Sequence, residues 1–383
     1  MQNPVTVHGE IAIPVKATTQ LADLKAAAAT LLAELVPADP TLVLLFASPS
    51  VVLPELARAL RNGLPEGCRV VGCSSAGELS CEGYRNGTVV AIGFPSASFR
   101  AETLVLDELS RLPVSTWMNG LRDLLANFRP DPKRRLFGIL LVDGFSQQEE
   151  VLVATLDAAL PHVMVLGGSA GDGIDFSQTC VIANDAAQRD VALFCLIETD
   201  LDVRDLIFDH FSATNTRMIV TRANPAQRSL LEINAEPAAE EYARIVGVPV
   251  GELSPLVFAR HPLLVNMGGR YFVRAIRQQT DDGGLLLMSS IDTGAVMSLG
   301  LAEDLTEGFE AMLRDLPSTP SLILSFDCIL RRLAMEHAGL GAAIKDIFCR
   351  YNMAGFNTFG EQHGGMHMNQ TFVGLAFLKP MGL

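Results

Sequence analysis

The chain lacks the sequence features of several large protein classes. Basic residues are not in excess: 29 Lys and Arg stand against 43 Asp and Glu, so the net charge at pH 7 is −14. Because nucleic acids and anionic membrane surfaces are bound through clustered Lys and Arg, we expect neither as a partner. No apolar run approaches the ~20 residues that a membrane-spanning helix needs. No basic segment followed by an apolar one opens the chain, so no secretory signal is predicted.

Paired cysteine motifs are also missing. The seven cysteines form no Cys-x-x-Cys and no Cys-Pro dipeptide, which argues against zinc ribbons and covalently attached haem and weakens thiolate-ligated haem. An odd number of widely spaced cysteines fits a reducing compartment. We therefore expect a soluble, cytoplasmic protein.

The composition is that of a well-packed globular protein. Of the 383 residues, 49% are hydrophobic and 19% are charged, and this length predicts two domains. Apolar segments of strand length alternate with amphipathic segments of helix length, which predicts layered α/β domains with mixed sheets. The composition changes after Thr214, so we place the boundary near residue 215 and predict domains 1–215 and 216–383.

A glycine-containing segment is repeated along the chain. Residues 72–78 (Gly-Cys-Ser-Ser-Ala-Gly-Glu) precede the apolar run 88–94, and residues 355–361 (Gly-Phe-Asn-Thr-Phe-Gly-Glu) precede 371–377 at the same spacing. A looser copy begins at Gly167. The glycines are expected to serve turns with positive φ. The repeat predicts related loop and strand units in the two halves of the chain.

Two motifs in these segments invite a chemical interpretation. His363 and His367 have the spacing of a helical metal pair, but the intervening Gly364 and Gly365 disfavour a helix. Ser169 lies in a Gly-x-Ser-x-Gly pattern typical of serine hydrolases, yet the residues after it do not open the helix that a nucleophile elbow requires. A hydrolase that uses Ser169 stays as a third hypothesis.

His261 is the histidine whose surroundings best suit a cofactor. It precedes a proline, has apolar neighbours, and has Arg270 and Arg274 nearby in sequence. An imidazole in an apolar pocket, with arginines for the propionates, is what b-type haem requires. We predict His261 as the axial ligand of the haem iron and the two arginines as haem-binding residues, with His210 and His367 as alternative ligands.

Several segments, taken in order, resemble the FIST sensory family: 70–78, 88–94, 165–171, 232–238, and 355–361 with 367–371. The resemblance covers nearly the whole chain, as the N- and C-terminal halves of the family. It implies an intracellular sensor, not an enzyme, that acts on a histidine kinase, a chemotaxis component or a cyclic-di-GMP enzyme. The chain is similar to a stand-alone branch that binds haem, senses nitric oxide and inhibits a histidine kinase.

The leading hypothesis is therefore a cytoplasmic sensor with haem b that binds nitric oxide and signals to such a kinase or to a cyclic-di-GMP enzyme. The alternative is a sensor of a small non-haem ligand such as an amino acid. Its carboxylate would be received by backbone N–H groups of the loops near Gly72 and Gly167. A homodimer is left open.

Overall fold

The computed structural model describes residues 11–48, 52–173, 178–183 and 186–380. Most of the chain forms three units with one order of elements: an edge strand, a helix, two parallel strands around one or two further helices, a short hairpin and a closing antiparallel strand. Unit 1 contains β1 (Val15–Gln20), α1 (Leu24–Leu35), β2 (Pro40–Ala47), α2 (Leu53–Gly63), β3 (Arg69–Ser74), β4 (Glu78–Ser80), β5 (Gly83–Arg85) and β6 (Thr88–Pro95).

Unit 2 repeats this order, and a separate segment then interrupts unit 3. Unit 2 contains β7 (Phe99–Leu106), α3 (Val114–Phe128), β8 (Arg135–Val142), α4 (Glu149–Ala159), β9 (Met164–Ser169), β10 (Val181–Ala183), β11 (Ala186–Gln188) and β12 (Ala192–Thr199). The edge strand of unit 3 is β13 (Asp202–Phe208). Residues 211–302, which we call the insertion, follow it.

The insertion has its own sheet, with strand order β18-β17-β21-β14-β15-β20-β19 and β16 beside β15. Its elements are β14 (Phe211–Asn224), β15 (Ser229–Ile233), β16 (Glu236–Pro237), α5 (Ala238–Val246), α6 (Pro255–Arg260), β17 (Leu263–Met267), β18 (Arg270–Arg274), β19 (Ile276–Gln279), β20 (Leu285–Leu287) and β21 (Val296–Ala302). Unit 3 then resumes with α7 (Glu307–Arg314), β22 (Leu322–Cys328), α8 (Ile329–His337), α9 (Gly341–Arg350), β23 (Met353–Thr358), β24 (Glu361–His363), β25 (Met366–Met368) and β26 (Phe372–Leu378).

The hairpins are exchanged between the units. The sheet of unit 1 has the order β1-β6-β2-β3 and is extended by β10 and β11 of unit 2. The sheet of unit 2, β7-β12-β8-β9, is extended by β24 and β25 of unit 3, and that of unit 3, β13-β26-β22-β23, by β4 and β5 of unit 1. Each hairpin therefore completes the sheet of another unit in a cyclic order.

One apolar core lies between the three sheets. Their strands are near-continuous apolar runs because both faces are buried. Phe46 of unit 1 stacks on Phe356 of unit 3 with ring centroids 4.5 Å apart. The helices cover the outer faces: Leu31 of α1 and Leu56 of α2, for example, pack on the outer side of the sheet of unit 1. The predicted mixed α/β class is confirmed.

The repeated glycine occupies the same position in each unit. Gly72, Gly167 and Gly355 pair with Leu45, Leu140 and Ser325 of the neighbouring parallel strand. A Cβ on any of the three would lie 1.8 Å from the carbonyl oxygen of that partner. The related units are thus confirmed, but the expected positive φ is wrong for these three positions. Glycine is needed there because two backbones approach too closely for a side chain.

Two buried carboxyl groups mark the same place in units 1 and 3. Oε2 of Glu78 accepts from Oγ1 of Thr88 at 2.6 Å, and Oε2 of Glu361 accepts from Oγ1 of Thr371 at 2.6 Å. Burial raises the pKa of both carboxyl groups, that of Glu361 to about 8. Each of these hairpins therefore begins at a structural carboxyl group, which is hydrogen-bonded to the start of the strand that follows the hairpin.

Strand pairing connects residues on both sides of position 215. β13 pairs with β26 from Asp202–Leu378 to Phe208–Phe372, and β4 pairs with β23. The division into 1–215 and 216–383 stays a prediction of the sequence.

Among the described residues, every helix is too short or too polar to span a membrane.

Candidate ligand site at the insertion

A buried group of charges joins the insertion to unit 2. Arg228, 4% exposed, follows the long strand β14. Its Nη2 donates to Oε2 of Glu149 and to Oε2 of Glu150, each at 2.5 Å. Its Nη1 donates to the carbonyl oxygen of Met288 at 2.6 Å. Both carboxylates lie in the first turn of α4, where the helix dipole also favours negative charge.

The charges in this group stabilise one another. Burial opposes the positive charge of Arg228, but the two carboxylates outweigh it and raise its pKa. Burial likewise opposes the charge of Glu150, but His367, Arg228 and the backbone N–H of Ser290 outweigh it and lower its pKa. Burial lowers the pKa of His367, although the carboxylates of Glu149 and Glu150 act in the opposite direction.

Ser169 and His367 lie in the same buried network. Oγ of Ser169 accepts from Nε2 of Gln362 at 2.9 Å and donates to Oε1 of Glu149 at 3.4 Å. His367 approaches Nε2 of Gln362 through Nδ1 and the carbonyl oxygen of Met288 through Nε2, each at 3.4 Å. Ser169 is fully buried, and Gln362 separates it from the imidazole. This geometry does not favour a serine hydrolase, because the hydroxyl is closed off from solvent and Gln362 stands between it and the imidazole of His367.

Two cavities open along the contact between the insertion and the units. The smaller, about 30 Å³, is lined by Glu149, Arg228, Met288 and Phe359 among others, and it has room for water. The larger, about 250 Å³, is lined by Asp209, Phe211, Leu264, Gly269, Arg270, Tyr271, Phe272, Val273, Met368 and Thr371. Aromatic walls with a few polar groups are typical of small-molecule sites.

The larger cavity is lined by Asp209 and Phe211, which flank His210 in the chain, and Asp209 is paired with Arg270. Nη2 of Arg270 lies 3.7 Å from Oδ2 of Asp209, and burial raises the pKa of that carboxyl group despite the arginine. His210, next in the chain, is 2% exposed, and its ring contacts that of Phe211 with centroids 3.9 Å apart and planes tilted by 40°. Neither of its ring nitrogens has a hydrogen-bond partner among the described residues. Burial and the charge of Arg331 lower its pKa well below 6.5, so the imidazole is neutral.

The three residues predicted to bind haem do not converge. His261 ends α6, its carbonyl oxygen accepts from Oη of Tyr242 at 2.8 Å, and its side chain lines neither of the two cavities. Arg270 lines the larger cavity, whereas Arg274 is electrostatically coupled to Glu150 near the smaller one. The two arginines stand at opposite ends of β18, about 13 Å apart along a strand. This set does not fit a haem.

His363 and His367 do not form a pair either. Gln362 is opposite His367 and His363 is opposite Met366 across the hairpin, so the two imidazoles leave opposite faces. Nε2 of His363 contacts Oδ2 of Asp205 at 2.8 Å instead. Within the described ranges, no three His, Cys, Asp or Glu residues are arranged to hold a metal ion.

The sequence singled out Ser169 and His367 of the buried network but not its charged residues. Glu149 and Glu150 have the appearance of a solvated first turn, and Arg228 follows an ordinary Asn-Pro turn. The one signal available was the polar run from His367 to Thr371, which the structure places between the two cavities. Long-range pairing of oppositely charged residues has no local signature in a single sequence.

Comparison with known proteins agrees with this architecture. The model of the FIST N domain matches residues 41–236, which is just over half of the chain, and the model of the FIST C domain matches residues 238–363. No curated protein matches the chain significantly. FIST domains act in sensory signal transduction. With both models matched in succession, the chain belongs to the FIST family.

Proposed function

We propose that this FIST protein is a non-catalytic sensor that binds a small ligand in the 250 Å³ cavity. The observation that carries the proposal is the position of the cavity: β17 and β18 of the insertion form one wall, and Met368 and Thr371 of unit 3 form another. A ligand there contacts two separately folded parts of the chain. It therefore stabilises one relative position of the insertion, which is how binding shifts a conformational equilibrium.

The chemistry of the cavity favours a small anionic molecule with an apolar part. Arg270 supplies a guanidinium whose present partner, Asp209, is 3.7 Å away, longer than a direct hydrogen bond. Phe211, Tyr271 and Phe272 supply aromatic walls. A carboxylate that displaces Asp209 from the arginine would gain a bidentate partner, and an amino acid has both required features.

The proposed output is a change in the surface that a partner protein contacts. A histidine kinase or a cyclic-di-GMP enzyme is the partner class implied by the family resemblance. Arg228 connects the insertion to α4 through its bonds to Glu149 and Glu150. Movement of the insertion would therefore expose or cover the residues near this contact. The ligand can shift this equilibrium only by its difference in affinity for the two positions.

The test is a thermal-shift screen of amino acids and other small carboxylates with the full chain. A ligand at one hundred times its Kd stabilises the native state by about 2.7 kcal/mol. We expect the response to be lost in Arg270→Gln and kept in Arg217→Gln, an exposed arginine of the same insertion. A response that survives Arg270→Gln unchanged would overturn the assignment of the cavity.

A second candidate is b-type haem with His210 as the axial ligand, favoured by one observation: this buried, neutral imidazole has no hydrogen-bond partner among the described residues, and its chain neighbours Asp209 and Phe211 line a cavity that contains an arginine. Haem would supply an iron to which nitric oxide binds. The cavity of about 250 Å³ is below the ~300–1,000 Å³ usual for ligand pockets, so a porphyrin would require the insertion to move away from unit 3.

Absorption spectra of protein expressed with haem precursor, with and without nitric oxide, test this candidate. His210→Ala should abolish the Soret band, whereas His261→Ala and His367→Ala should retain it. The absence of a Soret band in the wild type, or its loss only in another histidine variant, would remove His210 from this role.

A further inference from the structure

Two cysteines from distant parts of the chain meet on the surface. Cys81 lies in the turn between β4 and β5, the hairpin that extends the sheet of unit 3. A Cβ on Gly83, in the same hairpin, would lie 3.5 Å from Cβ of Lys345 in α9. Cys349 follows Lys345 by one helical turn, on the same face of that helix. The sulfur of Cys81 is close enough to Cys349 to affect the ionisation of its thiol.

The pair is surrounded by positive charge. Nζ of Lys16, from β1, donates to Sγ of Cys81 at 2.9 Å. A lysine ammonium beside a sulfur favours the thiolate, which is the nucleophilic form of cysteine. The Cys81 sulfur also raises the pKa of the Cys349 thiol through its hydrogen bond and charge. The two sulfurs therefore have different surroundings: the ammonium of Lys16 donates to Cys81, which we assign as the sulfur that attacks first, and Cys349 attacks second.

The remaining cysteines offer no competing site. Cys349 is exposed and Cys81 is partly exposed, whereas the other five are buried: Cys68, Cys73, Cys180, Cys195 and Cys328. Burial raises the pKa of each of these five thiols. Buried neutral thiols react slowly, and reactivity follows thiolate character and exposure. Oxidation is therefore directed to one pair.

We propose that Cys81 and Cys349 form a reversible disulfide, which makes this surface a redox-modification site separate from the insertion cavities. The oxidant is a low-molecular-weight disulfide. The Cys81 thiolate attacks one of its sulfurs, forms a mixed disulfide and releases one thiolate, which takes up a proton. Cys349 then loses its proton and attacks Sγ of Cys81, which releases the second thiol. Two protein thiols become one disulfide, and the small disulfide becomes two thiols.

The bond would act on the connection between units. It would join the exchanged hairpin of unit 1 to α9 of unit 3, where the hairpin contributes β4 and β5 to the other unit's sheet. A crosslink between residues so distant in sequence restricts mainly the unfolded chain. The oxidised protein should therefore melt at a higher temperature than the reduced one.

The test is a reaction of the full reduced chain with oxidised glutathione, followed by intact mass and non-reducing peptide mapping. We expect the wild type to lose two hydrogens and to yield a linked peptide that contains Cys81 and Cys349. Cys349→Ser should stop at one glutathione adduct on Cys81, and Cys81→Ser should form a single adduct on the exposed Cys349 more slowly. Cys68→Ser, a buried control, should behave as the wild type, and a melting curve of each reduced variant reports its folding.

The rate of adduct formation at Cys81 tests the role of Lys16 separately. Lys16→Met should slow adduct formation at Cys81 several-fold, while Lys25→Met on α1 should leave the rate unchanged. A wild type that forms no linked peptide, or that links other cysteines, would overturn the proposal. Equal reactivity of the Cys81→Ser and Cys349→Ser variants would overturn the assignment of attacking and following thiols.

Discussion

The ion pairs of Arg228 should contribute most of the free energy that holds the insertion against α4. Arg228→Met removes two carboxylate partners and the bond to the carbonyl oxygen of Met288. Glu149, 2% exposed, then stays buried without a counter-ion, whereas Glu150, 30% exposed, can reach water. Breaking a buried pair in this way costs about 3–5 kcal/mol. That is a large part of the ~5–15 kcal/mol that stabilises a typical domain.

Urea unfolding at neutral pH, followed by circular dichroism, measures the loss, and limited proteolysis shows whether the insertion detaches first. Adding Glu149→Gln to Arg228→Met removes the unpaired charge and should recover part of the stability. Arg222→Met, which breaks the more exposed pair with Glu232 in the same insertion, is the matched control and should cost no more than about 1 kcal/mol. A loss below about 1 kcal/mol for Arg228→Met would refute the reasoning, because it would mean that water already reaches Glu149.

Three further predictions follow from buried groups and close contacts. Because the pKa of His210 is held well below 6.5, the unfolded chain binds more protons below that pH, so stability should fall with acidification by up to ~1.4 kcal/mol per pH unit. His210→Phe should reduce this slope in urea titrations at several pH values. The raised pKa of Glu361, about 8 against 4.5, has the opposite sign: stability should fall as pH rises between these values, and Glu361→Gln should flatten that dependence in the same measurement. Gly167→Ala would place a Cβ 1.8 Å from the carbonyl oxygen of Leu140 and should destabilise by more than about 4 kcal/mol. Gly251→Ala, with open space around it, should melt as the wild type does.

Local patterns in the sequence were sufficient for the mixed α/β class and for many individual elements. The apolar run at 88–94 forms β6, and segments of helix length alternate with segments of strand length as expected. These predictions succeed because apolar periodicity and capping residues act over a few positions. The segment around Gly72, repeated around Gly355, also identified related units in the chain. Glycine is required at these positions because of a close backbone contact, and not because of a positive φ as expected.

The arrangement of the units was not visible in the sequence. Which sheet a hairpin joins is decided by contacts between residues a hundred or more positions apart in the chain. The sequences of β4 and β24 do not indicate which sheet these strands join. The same limit applies to the candidate site. His261 was chosen for its neighbours in sequence, but its side chain does not line the larger cavity, which brings Arg270 together with Asp209 and Met368 from distant parts of the chain.

The cyclic exchange of hairpins makes the chain the covalent counterpart of a domain-swapped trimer. A single unit, separated from the other two, would present an open strand edge at β3, β9 or β23 and a hairpin with no sheet to join. Open edges of this kind promote assembly with other chains. Three copies of one ancestral unit could close the same ring without being joined, and fusion would fix their order. The long-range pairing also means that the ring closes late in folding, since β4 must wait for β23 to be synthesised before its sheet exists.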